Sequence, residues 1–390
     1  MTSKPPFGGE VVRVGDVCTL VFGQSPSSDS YNADGDGLPF YQGNADFGKE
    51  HPKAKVWCNA PKKTARAGDI LLSVRAPIGA VNTAEEVCCI GRGVAAVRPN
   101  PSKVNAVYLK QQLLARRALL ESKGTGSTFK AVGKKVLTEF PVILYSLSEQ
   151  EALARKLQTI QDNLRVADQK LFRLDLLVKS RFVEMFGDPV SNTMDWEIST
   201  IKETAVTYGD GPFGSNLKSS DYVDEGVRVI RLGNILTGSF SERDRSFVSF
   251  EKYERLKKYE CKPGEVVIGT LGDPLLRACI VPDFGVPSIH KADCMYYETD
   301  KSKVLPVFAM SVINQPTMLK RAMLDMHGQT RARINSTQVG NLPMMLPPLA
   351  LQQEFADFVN RVDKLRVEAQ AQKEKLQTLY DSLAQDYFAI

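Results

Sequence analysis

The sequence predicts an α+β chain: two similar mixed α/β units, each followed by a long helix, with the two helices pairing as a coiled coil in a pseudo-two-fold layout. Three observations predict it. Two stretches carry unbroken heptad spacing of apolar residues. The segments leading into those stretches repeat one another. Elsewhere the apolar runs are short and bounded by Gly, Pro, Asn and Asp, which reads as strands and turns. With 390 residues, 43% hydrophobic and 24% charged, the chain can build two or three packed cores, and wholesale disorder is excluded.

The first unit is expected over residues 1–146, with strands at 70–74 and 94–97 and an amphipathic helix over 108–120. A helix follows over 147–188. Its apolar positions Leu153, Leu157, Ile160, Leu164, Ala167, Leu171, Leu174 and Val178 alternate gaps of four and three. The second unit is expected over 189–348, with strands at 227–230, 266–268 and 278–281 and a helix over 307–324. The closing helix, 349–390, carries Phe355, Phe358, Val362, Leu365, Ala369, Gln372, Leu376, Leu379 and Leu383 at heptad spacing. No Gly or Pro interrupts either heptad run. Each predicts a helix of roughly 35 residues, about 50 Å long. That exceeds what one compact unit needs, so the apolar stripes are expected to cover each other.

The approaches to the helices repeat. Phe140-Pro141-Val142-Ile143-Leu144 with Gln150-Glu151 corresponds to Leu342-Pro343-Met344-Met345-Leu346 with Gln353-Glu354. Gly68-Asp69-Ile70-Leu71-Leu72-Ser73 echoes Gly264-Glu265-Val266-Val267-Ile268-Gly269, and Gly43-Asn44 echoes Gly233-Asn234. More faintly, Phe22-Gly23-Gln24-Ser25-Pro26 echoes Tyr208-Gly209-Asp210-Gly211-Pro212. Loop lengths differ while the order of elements is kept.

Catalytic readings find little support. The three histidines, His51, His290 and His327, are not at metal-ligand spacing, and no phosphate loop or methyltransferase signature occurs. The seven cysteines form no CxxC pair, so neither a disulfide framework nor a zinc site is indicated. No run suits a membrane span or a signal peptide, and a reduced, cytoplasmic chain is expected. No enzyme activity, cofactor or metal is expected. Net charge is +5, and its distribution is uneven. Residues 1–146 hold 19 Lys/Arg against 12 Asp/Glu, whereas 189–348 hold 19 of each. A polyanion partner is permitted.

In order and duplication these segments resemble the specificity subunit of type I restriction–modification systems. The resemblance extends over roughly residues 12–388. It is carried by Leu177-Val178-Lys179-Ser180-Arg181-Phe182-Val183-Glu184-Met185-Phe186-Gly187-Asp188, by Leu346-Pro347-Pro348-Leu349 with Gln353, and by Ala67-Gly68-Asp69-Ile70-Leu71-Leu72-Ser73-Val74-Arg75 followed by Gly79. The first approach departs from the pattern, with Tyr145-Ser146 where the second has Pro347-Pro348. The resemblance implies two target-recognition domains, each reading half of a bipartite site in double-stranded DNA. It also implies two helices packed antiparallel that space the domains and carry methyltransferase subunits, and through the complex restriction subunits. Residue type and position suggest Gln24, Ser25 and Ser27, with Ser215, Asn216 and Lys218, for base contacts. Lys130, Lys134 and Lys135, with Arg331 and Arg333, suit phosphate contacts. Arg75 and Arg231 lie in or beside strands, where internal pairing is the alternative. Two other readings stay open: a non-catalytic coiled-coil scaffold with two protein-binding domains, and a DNA-modifying enzyme whose motifs are unrecognised.

Overall fold

The computed structural model describes residues 9–126, 130–324 and 333–389. The chain divides into two units, Met1–Gln169 with Gln370–Ile390, and Lys170–Ala369.

Six strands frame the first unit: β1 (Glu10–Arg13), β2 (Cys18–Phe22), β3 (Ile70–Ser73), β4 (Val81–Thr83), β5 (Val94–Pro99) and β6 (Pro141–Leu144). β2, β5, β3 and β4 form an antiparallel sheet in that order, and β1 pairs with β6. A second, mixed sheet of five short strands contains the parallel pairing of Phe40 and Tyr41 with Cys89 and Ile90. β5 reads Val-Ala-Ala-Val because both its faces are covered. Successive side chains alternate faces, so Ala95 and Val97 enter one core while Val94 and Ala96 join Tyr41 and Ile90 in another.

The second unit repeats this. Its strands are β7 (Ile198–Thr200), β8 (Ala205–Asp210), β9 (Val266–Gly269), β10 (Arg277–Ile280), β11 (Cys294–Thr299) and β12 (Pro343–Met345). The sheet order β8-β11-β9-β10 matches the first, β7 pairs with β12, and a second mixed sheet places residues 228–230 parallel to 288–290. Gly68 and Gly264, which open β3 and β9, both adopt φ +83°, where a side chain is disfavoured.

The helices expected over 108–120 and 307–324 are each broken in two. The first becomes α1 (Ala106–Ala115) and α2 (Arg117–Ser122). At the break the Arg116 guanidinium donates to the Pro141 carbonyl and sits 5.2 Å from the Phe140 ring centroid. In the second unit Pro316, which lacks an N–H, begins a new helix, so α4 (Pro306–Ile313) is followed by α5 (Pro316–Leu324). The long helices are α3 (Leu147–Phe186) and α6 (Leu349–Phe388), of 40 residues each.

A buried glutamine fixes the start of each long helix. Gln150 accepts from the Asn105 N–H at 2.9 Å and donates to the Lys103 and Tyr145 carbonyls at 3.1 and 2.8 Å. Gln352 accepts from the Leu305 N–H at 2.8 Å and donates to the Lys303 and Pro347 carbonyls at 3.0 and 2.8 Å. Gln150 therefore corresponds to Gln352, not to Gln353 as the motif comparison suggested.

Within each unit the long helices pack antiparallel. Gln161 donates to the Tyr380 hydroxyl, Lys373 pairs with Asp168 at 2.7 Å, and Arg366 pairs with Asp175 at 2.7 Å. Seven residues forward along α3 are answered by seven backward along α6. On α3 the seam positions are buried or half-buried: Leu153, Leu157, Ile160, Leu164, Ala167, Leu171, Leu174 and Val178. On α6 the observed seam is Phe355, Val359, Val362, Arg366, Ala369, Lys373, Leu376 and Tyr380. Leu365 and Leu379, expected in that seam, are instead 44% and 48% exposed, and Gln372 is exposed. The row they were assigned to is polar: the Arg366 and Lys373 stems cover the apolar stripe while their charges reach aspartates on α3.

Candidate nucleic-acid interface

Four loops meet at one end of the first unit's main sheet, laced by backbone hydrogen bonds. Val74, just after β3, donates its N–H to the Gly93 carbonyl at 2.9 Å and accepts from the Val132 N–H at 2.8 Å. Arg75 forms a bridge with Ala131. Gly23 donates to the Val94 carbonyl at 2.9 Å and Gln24 to the Ile90 carbonyl at 3.0 Å. A Cβ on Gly23 would lie 2.2 Å from the Gly91 carbonyl oxygen, so only glycine permits this approach.

The lacing brings Gln24, Arg75, Arg92 and Lys130 onto one rim, all exposed. Among the described residues none of these three cations has a carboxylate partner. Ser25 is half-buried, its hydroxyl 3.4 Å from the Arg92 N–H. The Ser27 hydroxyl donates to Asp29, which, with a backbone hydrogen bond of its own, holds that carboxyl below its ordinary range. Lys134 and Lys135 are exposed at the start of the short helix Lys134–Thr138, directly after the Val132 contact.

The second unit builds the same lacing. Thr270 donates to the Asp293 carbonyl at 3.0 Å and accepts from the Ile334 N–H at 3.0 Å, while Leu271 bridges Arg333. Gly211 donates to the Cys294 carbonyl at 3.2 Å, and a Cβ there would lie 2.5 Å from the Lys291 carbonyl oxygen. Gly211, not Gly209, is thus the counterpart of Gly23. Arg333 lies 3.1 Å from Asp293 and 5.3 Å from the Phe213 ring centroid. Asn216 and Lys218 are exposed on the loop after β8, where the Lys218 N–H donates to Asp221 at 2.7 Å. Arg331 and the Ser215 side chain lie outside the described residues, as does His327.

Of the two arginines left open above, Arg231 is paired internally, 2.9 Å from Asp244. Arg75 is not. Sequence reasoning missed Arg92, Phe213 and Asp293. The Gly91-Arg92-Gly93 turn was the available signal, but its place beside Gln24 depends on contacts between segments far apart in the chain.

A buried Cys261–His290 pair, 3.3 Å apart, has the makings of a nucleophile and base. Burial pushes the thiol well up and the imidazole down, so both are held neutral and out of solvent. Burial likewise pushes Cys88, Cys89, Cys279 and Cys294 up to about 12. All seven cysteines are free. Among the described residues no group of three His, Cys, Asp or Glu side chains is placed to hold a metal ion. Nor is any described helix long and apolar enough to cross a membrane.

Each unit presents laced loops at one end of its main sheet and contains part of both long helices, so the fold is duplicated. The family described as the type I restriction modification DNA specificity domain matches residues 6–173 of the 390. A Methanocaldococcus jannaschii protein named as the MjaX type I restriction enzyme specificity subunit is 40% identical over 163 residues, 41% of this chain and 38% of that one. The MjaVIII type I restriction enzyme specificity subunit of the same organism is 20% identical over 287 residues, 70% of this chain and 66% of that one. The chain therefore spans less than two thirds of the length of either curated relative. The crystal structure of a type I restriction–modification S subunit from M. genitalium matches 100% of this chain and 98% of its own, at 14% identity and a TM-score of 0.59. The duplicated fold is shared over the full length.

Proposed function

We propose that the chain reads a bipartite target in double-stranded DNA for a type I restriction–modification complex and does no chemistry itself. Each laced loop cluster reads one half-site, within residues 1–146 and 189–348. The carrying observation is the rim of Gln24, Arg75, Arg92 and Lys130, built on a framework that the second unit repeats. Exposed cations without carboxylate partners among the described residues suit phosphates, and the glutamine amide suits an adenine edge. Ser25, Ser27, Lys134 and Lys135 border the first rim. Ser215, Asn216, Lys218, Arg331 and Arg333 are the counterparts proposed for the second.

The helices over 147–188 and 349–390 are proposed to space the half-sites and to carry two methyltransferase subunits, with restriction subunits joining through the complex. Phe172, Leu176 and Val367 are 68%, 52% and 70% exposed, apolar side chains along the long helices that suit a covering partner. The test is a hybrid in which residues 189–348 come from a relative with a different target, expressed with its methyltransferase. Mapping methylated sites across the genome should show one half-site changed and the other kept. Both half-sites changing, or no sequence-dependent methylation by the parent chain, would overturn the reading.

A further inference from the structure

The two rims share a framework but differ in one charge relationship. Where the first unit has Gly93, the second has Asp293, each accepting the N–H of the residue after the strand (Val74 and Thr270). Where the first has Ala131, bridged to Arg75, the second has Arg333, bridged to Leu271. Asp293 adopts φ +66°, a conformation that glycine takes freely and that Asp and Asn tolerate better than most residues. Its carboxylate lies 3.1 Å from the Arg333 guanidinium, yet the same oxygen Oδ1 is buried with no aligned hydrogen bond. The contact is therefore an ion pair of poor hydrogen-bond geometry, half in solvent, with side-chain exposures of 44% for Arg333 and 28% for Asp293.

Resting on the DNA-reading function above, we infer that Asp293 is a built-in stand-in for a DNA phosphate. It occupies Arg333 in the free protein and sets how strongly the second rim holds DNA without regard to sequence. A backbone phosphate that reaches Arg333 must displace the carboxylate. The Phe213 ring beneath the guanidinium holds it in place during the exchange. Three cations, without carboxylate partners among the described residues, anchor the first rim. The second releases its one described rim arginine only to a competing anion, so non-specific adhesion is curbed there while direct base contacts are left to decide binding.

The test uses the full chain and a fluorescent duplex of arbitrary sequence, about three helical turns long. Affinity is measured from about 50 to 200 mM salt. Asp293→Asn keeps the shape and tolerates the backbone conformation while removing the competing charge. Binding should tighten, and the slope of log affinity against log salt should steepen by about 0.9, one phosphate contact. Over that fourfold range the variant should lose about 3.5-fold more affinity than the parent. In an Arg333→Ala background the same substitution should leave the slope unchanged, which separates the local exchange from a general change in net charge. Melting curves check that each variant folds. An unchanged slope in Asp293→Asn, or an equal change with and without Arg333, overturns the inference. If the parent binds DNA and loses affinity with salt while Asp293→Asn matches it, only this inference fails. If the parent shows no salt-dependent binding, the DNA-reading function fails and takes the inference with it.

Discussion

Removing Arg75, Arg92 and Lys130 together should strip the first rim of its phosphate grip without unfolding it. All three side chains are exposed and lack a carboxylate partner among the described residues, so replacing them with Ala should shift stability by about 0.5 kcal/mol or less each. The binding consequence is larger. Each phosphate contact contributes about 0.9 to the slope of log affinity against log salt, so three give about 2.7. Between about 50 and 200 mM salt the parent should lose about 40-fold more affinity than the triple variant, because fourfold raised to the power 2.7 is about 40. Fluorescence anisotropy titrations at four salt concentrations measure the slope directly, and circular dichroism melting confirms the fold. A triple variant whose slope stays within about 0.5 of the parent's would refute the rim as the phosphate-binding surface. A lowered affinity with unchanged slope would point to lost base or packing contacts instead.

Other expectations concern the scaffold. Gln352→Leu keeps the volume but leaves the Leu305 N–H and the Lys303 and Pro347 carbonyls unpaired, so urea denaturation should show a loss of about 3 kcal/mol. A loss below about 1 kcal/mol would mean that water substitutes for the amide. Leu157→Ala, at a position 1% exposed, should cost about 2–5 kcal/mol, whereas Leu379→Ala, 48% exposed, should cost less than about 1. Equal losses would contradict the seam observed on α6. Burial lowers the His290 pKa below its ordinary 6.5 in the folded state, so the unfolded chain takes up the proton first as pH falls. Its contribution is thus present above pH 6.5 and lost below it, and melting from pH 7 to 5 should fall less steeply in His290→Gln than in the parent.

How legible each part was in the sequence follows from how local its causes are. The stripe on α3 is apolar at every step from Leu153 to Val178, and heptad spacing places it correctly. On α6 the packed row runs through Arg366, Lys373 and Tyr380, whose polar ends find Asp175, Asp168 and Gln161. A reading by hydrophobicity prefers the neighbouring Leu365 and Leu379, and slips by one residue. The apolar runs of β3 and β5 announce themselves, because burial on both faces leaves no polar position. The two-residue strands Trp57–Cys58 and Thr64–Ala65 are too short to carry a period. Lys130 was visible as a cation beside a glycine-rich turn. Arg92 gained its meaning only through Val74, which ties the 93 carbonyl to the 132 amide across the sheet end.

The two units agree at the positions that hold the fold and differ at the positions displayed on the rims. Gly68 and Gly264 share one backbone conformation, Gly23 and Gly211 allow the same close approach, and Gln150 and Gln352 make the same three hydrogen bonds. The glycines answer to backbone geometry that disfavours a side chain, and the glutamines to the hydrogen bonds of their side-chain amides. At the rim the correspondence ends: Gly93 faces Asp293, Ala131 faces Arg333, and Arg75 faces Leu271, although their backbones hydrogen-bond alike. Backbone lacing can fix a loop's path without constraining the side chains it displays. A framework of that kind lets two copies present different chemistry from equivalent positions, as the proposed reading of two unlike half-sites requires. The cationic excess in the first unit and the internally neutralised arginine in the second follow from the same freedom, which is why charge, and not fold, distinguishes the two rims.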